Sequence, residues 1–255
     1  MWGLLRADMI VLFKRKLFWV MMLILLVMVA LTAGIFFLGP QFMPDQMEAF
    51  PTIEKPMAYS FGAGQVVDQT WFPLILAVVV LGGEMGSSIW ASQLTRESRR
   101  WRHLLSKLTV TTVSVWLATI LGIALFGVLV FFFAEGSGNL AASEWFAICW
   151  KALPIVFIWT ALGFGFAGAL RAVGPAIGAG IGFMFLDGIL ILWRPWQNMS
   201  VSIASQRVFG DFSSLTSDFG FSFGSMTFTH AVVCLVIWAI LGTLLAWIGI
   251  GVRDP

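Results

Sequence analysis

The sequence predicts an all-α polytopic membrane protein with six transmembrane helices, and three observations lead there. Of its 255 residues 59% are hydrophobic and 11% charged, with a mean hydropathy of +0.92. A water-soluble domain of that size could not clothe its surface with so few polar groups, whereas lipid tails solvate apolar side chains readily. Six stretches reach the ~20 apolar residues that a bilayer core of about 30 Å requires of a helix. Lys and Arg, finally, gather on one side of those stretches.

Met1–Lys16, MWGLLRADMIVLFKRK, spaces Trp2, Leu5, Met9, Leu12 and Phe13 at steps of three and four. That is the pattern of an amphipathic helix lying in the membrane interface, although a plain extension of the first span fits the same residues. Span 1 is placed at 17–38. Lys14, Arg15 and Lys16 precede it as in a signal peptide, but its apolar run is too long and no small-x-small site ends it, so it is expected to remain as a helix. Span 2 is placed at 69–90, after an external loop over 39–68. A short basic linker over 91–107 leads to span 3 at 108–133, and span 4 follows at 145–170. The connection from Arg171 to Pro175 leaves room only for a tight turn before span 5 at 173–193. Residues 194–229 are aromatic and small with few charges, which leaves room for short re-entrant helices where protein covers their backbone. Span 6 is placed at 230–251. No loop can hold a soluble domain, so residues 1–255 form a single transmembrane domain.

Eleven of the fifteen Lys and Arg lie on one side: Arg6, Lys14, Arg15, Lys16, Arg96, Arg99, Arg100, Arg102, Lys107, Arg171 and Arg253. Lys55, Lys151, Arg194 and Arg207 lie on the other. Positive charge stays inside, so both termini are expected in the cytoplasm. The net charge of +2 reflects this partition and gives no support to nucleic-acid binding. Cys149 and Cys234 stand singly within spans, as packing residues rather than a zinc site or a disulfide framework. Lys151 can snorkel outward. His103 has no second metal ligand at helical spacing, and His230 opens span 6 at the interface.

An ionisable group inside a span is a functional candidate by default. Asp187, in GFMFLDGILILW near the middle of span 5, is a candidate for lining a translocation path or carrying a proton; a bond to backbone or a hydroxyl on a neighbouring helix is the alternative. Glu84 lies near the cytoplasmic end of span 2. Gly163, Gly165, Gly168, Gly174, Gly178, Gly180 and Gly182 crowd spans 4 and 5, and the four-residue step of Gly174, Gly178 and Gly182 permits close helix approach.

The block Gly83-Glu84-Met85-Gly86-Ser87-Ser88-Ile89-Trp90, followed by Leu94-Thr95-Arg96, Arg99 and Lys107-Leu108, resembles the membrane subunit of ABC-2 type (type V exporter-like) ABC transporters. Ser87-Ser88 stands where Gly-Thr is common in that family, and Glu97-Ser98 interrupts the usual run. The resemblance implies an export permease in a prokaryotic inner membrane, paired with a second permease subunit as homodimer or paralogue. It implies a separate cytoplasmic ATPase subunit that binds ATP and Mg, and no enzymatic activity in this chain. The sequence itself lacks a G-x-x-x-x-G-K-[ST] phosphate loop. On this reading the 91–104 segment docks on the ATPase through Arg96, Arg99, Arg100, Trp101 and Arg102, and Glu84 braces its start by pairing with a nearby arginine.

Two other classes compete. An ATP-independent channel or carrier would use Asp187. An intramembrane serine protease would use Ser222, in the G-x-S-x-G string Gly220–Gly224, with His230; a nucleophile elbow, however, needs a strand–turn–helix of a soluble sheet. The substrate is not legible, because a lipid, an amphipathic peptide or the bilayer itself would all call for the same apolar spans.

Overall fold

A computed structural model describes residues 2–42, 55–85, 100–134, 138–209 and 226–251. It is helical, without strand among the described residues: α1 (Trp2–Lys14), α2 (Lys16–Phe42), α3 (Lys55–Val67), α4 (Trp71–Met85), α5 (Arg100–Phe133), α6 (Ala142–Leu170), α7 (Val173–Leu190), α8 (Arg194–Gln197), α9 (Val201–Phe209) and α10 (Phe228–Gly251). Six segments are long and apolar enough to cross a bilayer; the chain is a multi-pass membrane protein. The apolar stretches of α3–α4 and of α6 are each 67% buried, against 22% for α2 and 17% for α7. The second and fourth spans therefore form the centre of the bundle, and α2, α7 and α10 face lipid.

The second span begins earlier than its hydropathy indicates. Lys55–Val67 is helical where an external loop is expected, because Ser60, Gly62, Gly64 and Gln65 dilute its apolar character, while Gly62 serves as a packing position. A Cβ at Gly62 would overlap the Phe126 ring of α5, and one at Gly122 would stand 2.9 Å from Val66. Further along, Glu84 meets Lys107. These pairings advance along α3 and α4 as they recede along α5, so the two short helices form one broken span antiparallel to α5. Neither suffices alone: α4, with 15 residues, rises only about 22 Å.

Residues 100–107, expected as the end of a linker, are the first two turns of the same helix as span 3. α5 runs unbroken for 34 residues, about 51 Å, well beyond the ~30 Å apolar core. The rest of the linker, 91–99, lies outside the described residues.

α6 and α10 share the closest seam. A Cβ on Gly165 would stand 2.8 Å from the Gly242 carbonyl, one on Gly168 2.7 Å from Ala246, and one on Gly242 2.7 Å from Ala161. Backbones thus touch along small residues, as van der Waals packing in lipid favours. Gly163 and Gly180 close on Leu74 of α4. Gly174, Gly178 and Gly182 make no such approach within the chain: a Cβ on any of them meets nothing within 4 Å. α7 turns Ala176, Gly180 and Asp187 inward, which sends that glycine row out.

Candidate functional site

At the end of the bundle where the basic residues gather, α1 lies against α5. The residues α1 turns inward are Leu5, Asp8 and Leu12, three to four apart on one helical face; Leu12 is buried, and Leu5 packs on the core. Trp2 and Met9, expected on that apolar face, are 85% and 50% exposed. The chain bends at Arg15, where the Arg15 N–H donates to Leu12 O and the Phe18 N–H to Arg15 O. Phe13, Phe18 and Trp19 form an edge-to-face cluster around the bend, and Trp19 Nε1 donates to Phe13 O at 2.8 Å.

This bend delivers Arg15 to Glu84, whose Oε1 accepts from Arg15 Nη2 at 2.9 Å. Lys107 Nζ stands 2.7 Å from Glu84 Oε2 and 3.0 Å from Asp8 Oδ1. Ser106 Oγ donates to Asp8 Oδ2 at 2.5 Å. Two acids and two bases thus form a cluster joining α1, the α1–α2 bend, α4 and α5. Glu84 and Lys107 are 4% and 3% exposed, and Arg15 closes the open side at 29%. Charges so buried are tolerated only when paired. The gap enclosed with Val80, Val110 and Thr111 is about 10 Å³, at the lower limit of ~10–15 Å³ for one water. The cluster is a joint between helices, with no room for a substrate.

Among the described residues, Glu84 pairs with Arg15 from the amino-terminal bend. Neither Asp8 nor Arg15 stands out from the sequence as a site residue. A signal is nonetheless present: Asp8 is the one acid within a basic interfacial helix, two turns ahead of Arg15 on the same face.

Arg96 and Arg99 lie outside the described residues. Arg100 is partly turned inward, and its Nη1 donates to Ile250 O of α10 at 3.1 Å. Arg171 acts beside it. With φ 53°, Arg171 ends α6 in the left-handed region, its N–H donates to Ala167 O, and its guanidinium donates to Gly249 O. Two cations therefore cap the last carbonyls of α10, where the helix dipole favours positive charge. Trp101 projects from the same end, 43% exposed, with the Arg102 guanidinium 5.6 Å from its ring centroid.

Asp187 sits in the last turn of α7, not at its middle, since the helix stops at Leu190. It is 0% exposed and accepts three hydrogen bonds: from Trp196 Nε1 at 2.8 Å, Ser200 Oγ at 3.1 Å and the Ser202 N–H at 3.1 Å. Ser200 in turn accepts from the Ile203 N–H at 3.2 Å, so carboxylate and hydroxyl together satisfy the opening turn of α9. The turn before α9 is also held by α10: Met199 O accepts from Trp238 Nε1 at 2.8 Å and from Cys234 Sγ at 3.3 Å. Those residues lie about 9–15 Å along α10 from Phe228. The α8–α9 segment therefore dips to the level of the apolar core, and Asp187 is its anchor.

Both cysteines are free. Among the described residues no cluster of His, Cys, Asp and Glu could hold a metal ion. His230 is exposed in the first turn of α10, where its N–H donates to Thr227 Oγ1; Ser222 lies outside the described residues. The chain matches no family model and no curated protein.

Proposed function

We propose that the chain is the permease subunit of an ATP-driven ABC exporter, coupled to separate cytoplasmic ATPase subunits and paired with a second permease. One observation carries this reading: Trp101 stands exposed on the tip of a continuous helix whose next turns hold Lys107, and Lys107 is ion-paired to α1 and α4. A push on that tip reaches three elements through rigid contacts, as a coupling element requires. Aromatic and arginine side chains are also the usual anchors of protein interfaces. On this reading the basic end is cytoplasmic, by the positive-inside bias, in a prokaryotic inner membrane. ATP and Mg belong to the partner chain, and this subunit performs transport rather than catalysis. The carrier reading built on Asp187 draws less support, because that carboxylate is already engaged by three donors.

The test is affinity purification of the tagged protein in mild detergent, mass identification of co-purifying chains, and ATPase assay of wild type and of Trp101→Ala/Arg99→Ala. A stoichiometric nucleotide-binding chain that is lost in the double variant is expected. Its absence, while the permease subunits stay associated, would overturn the reading.

A further inference from the structure

A groove of about 580 Å³ runs between α6 and α10 on the lipid-facing side, with Pro154, Phe157, Val232, Val236, Ile240 and Leu244 among its walls. That volume lies in the usual range of ligand sites, roughly 300–1,000 Å³. Its one polar side chain, Thr243, is spent within its own helix, donating from Oγ1 to Ala239 O at 2.7 Å. Pro154 brings no N–H to satisfy. What lies in the groove must therefore be apolar along its whole length. From Val232 to Leu244 the wall rises about 18 Å, close to the ~15 Å depth of one leaflet.

A cation stands one turn beyond the groove's α6 wall. Lys151 stands one turn from Pro154 on the same face of α6, is exposed, and donates a single hydrogen bond, to Phe209 O at 3.2 Å. An ammonium has three donors, so two remain for an anion there. The lysine also lies on the side of Pro154 toward the start of α6, where a snorkelling side chain reaches the interface. Apolar length of one leaflet below, positive charge at the interface above: this is the complement of a phospholipid.

We propose that the α6–α10 groove is a phospholipid site, with an acyl chain along Val232–Leu244 and the phosphate on Lys151. The proposal does not depend on the transporter reading, because it uses no residue of the basic end.

The full-length protein in nanodiscs is labelled with phosphatidylglycerol carrying a photoactivatable acyl chain, or with diacylglycerol carrying the same chain, and the labelled peptides are mapped. The phospholipid is expected to label 154–158 and 232–244 several-fold above the exposed face of α2. Ala239→Trp, which fills the groove, abolishes that excess. Lys151→Gln, a change at an exposed position with little consequence for folding, lowers phospholipid labelling several-fold and leaves diacylglycerol labelling unchanged. Equal labelling of α2 and α10 would mean annular lipid only and overturn the proposal. So would indifference to Lys151→Gln, or a disulfide between two copies bearing Val236→Cys that excludes the label, since a second subunit would then occupy the groove.

Discussion

Glu84 and Lys107 meet at 2.7 Å with both side chains almost wholly buried. Removing either charge takes from the other its most buried partner but leaves Glu84 with Arg15 or Lys107 with Asp8, so the loss should fall below the about 3–5 kcal/mol of a fully stranded buried charge. Glu84→Gln and Lys107→Met are each expected to lower the thermal unfolding midpoint sharply. The double variant should lose less than the sum of the two single losses, because the Glu84–Lys107 contact can be lost only once. Arg15→Gln, at a position 29% exposed, should cost only about 1 kcal/mol or less. A double-mutant cycle in detergent reads all three.

Asp8 ties α1 to α5 through Lys107 and Ser106. Asp8→Asn should loosen α1 before it unfolds the bundle. Hydrogen exchange over residues 2–14 is expected to accelerate markedly, while exchange in α6 stays unchanged. Ser106→Ala removes a single hydrogen bond and should show the same effect at about 1 kcal/mol.

Asp187→Ala would leave Trp196 Nε1 and the Ser202 N–H, both half-buried, without their acceptor, at about 1 kcal/mol for each. A loss of stability with faster exchange in 194–209 is expected, and Asp187→Asn should fall between that variant and wild type. Transport abolished by Asp187→Asn at full stability would instead assign the residue to a path.

The glycines divide by surroundings. Gly168→Val and Gly242→Val should abolish folded yield, because a Cβ at either would stand 2.7 Å from opposing backbone. Gly178→Ala meets open space and should stabilise by about 0.5–1 kcal/mol, the usual gain of alanine over glycine within a helix. Folded yield of the first two variants and the thermal unfolding midpoint of the third separate the two cases.

Hydropathy is enough to find six spans, since apolar runs of bilayer length have few other uses. It misses the first half of the second span because residues such as Gly62, which lets α3 approach α5, are the ones that make it look like a loop. Glu84 is legible as a site residue from its place at a span end. Its partners are not, because Arg15 and Lys107 reach it from other helices, with Asp8 joining through Lys107, and single-sequence reading sees only neighbours on one helix. Asp187 stands out as an acid in an apolar run. Its donors Trp196, Ser200 and Ser202 lie within the next fifteen residues, but a propensity argument cannot tell that the chain folds back there.

The arginine caps on α10 have a bearing on the order of assembly. Chains emerge from synthesis amino end first, so Arg100 and Arg171 enter the membrane long before the carbonyls of Gly249 and Ile250 exist to receive them. The α6–α10 seam is clasped at its basic end only when the last turn of α10 arrives. A nascent chain halted short of Gly249 would hold five spans and most of a sixth, yet lack the clasp that fixes them.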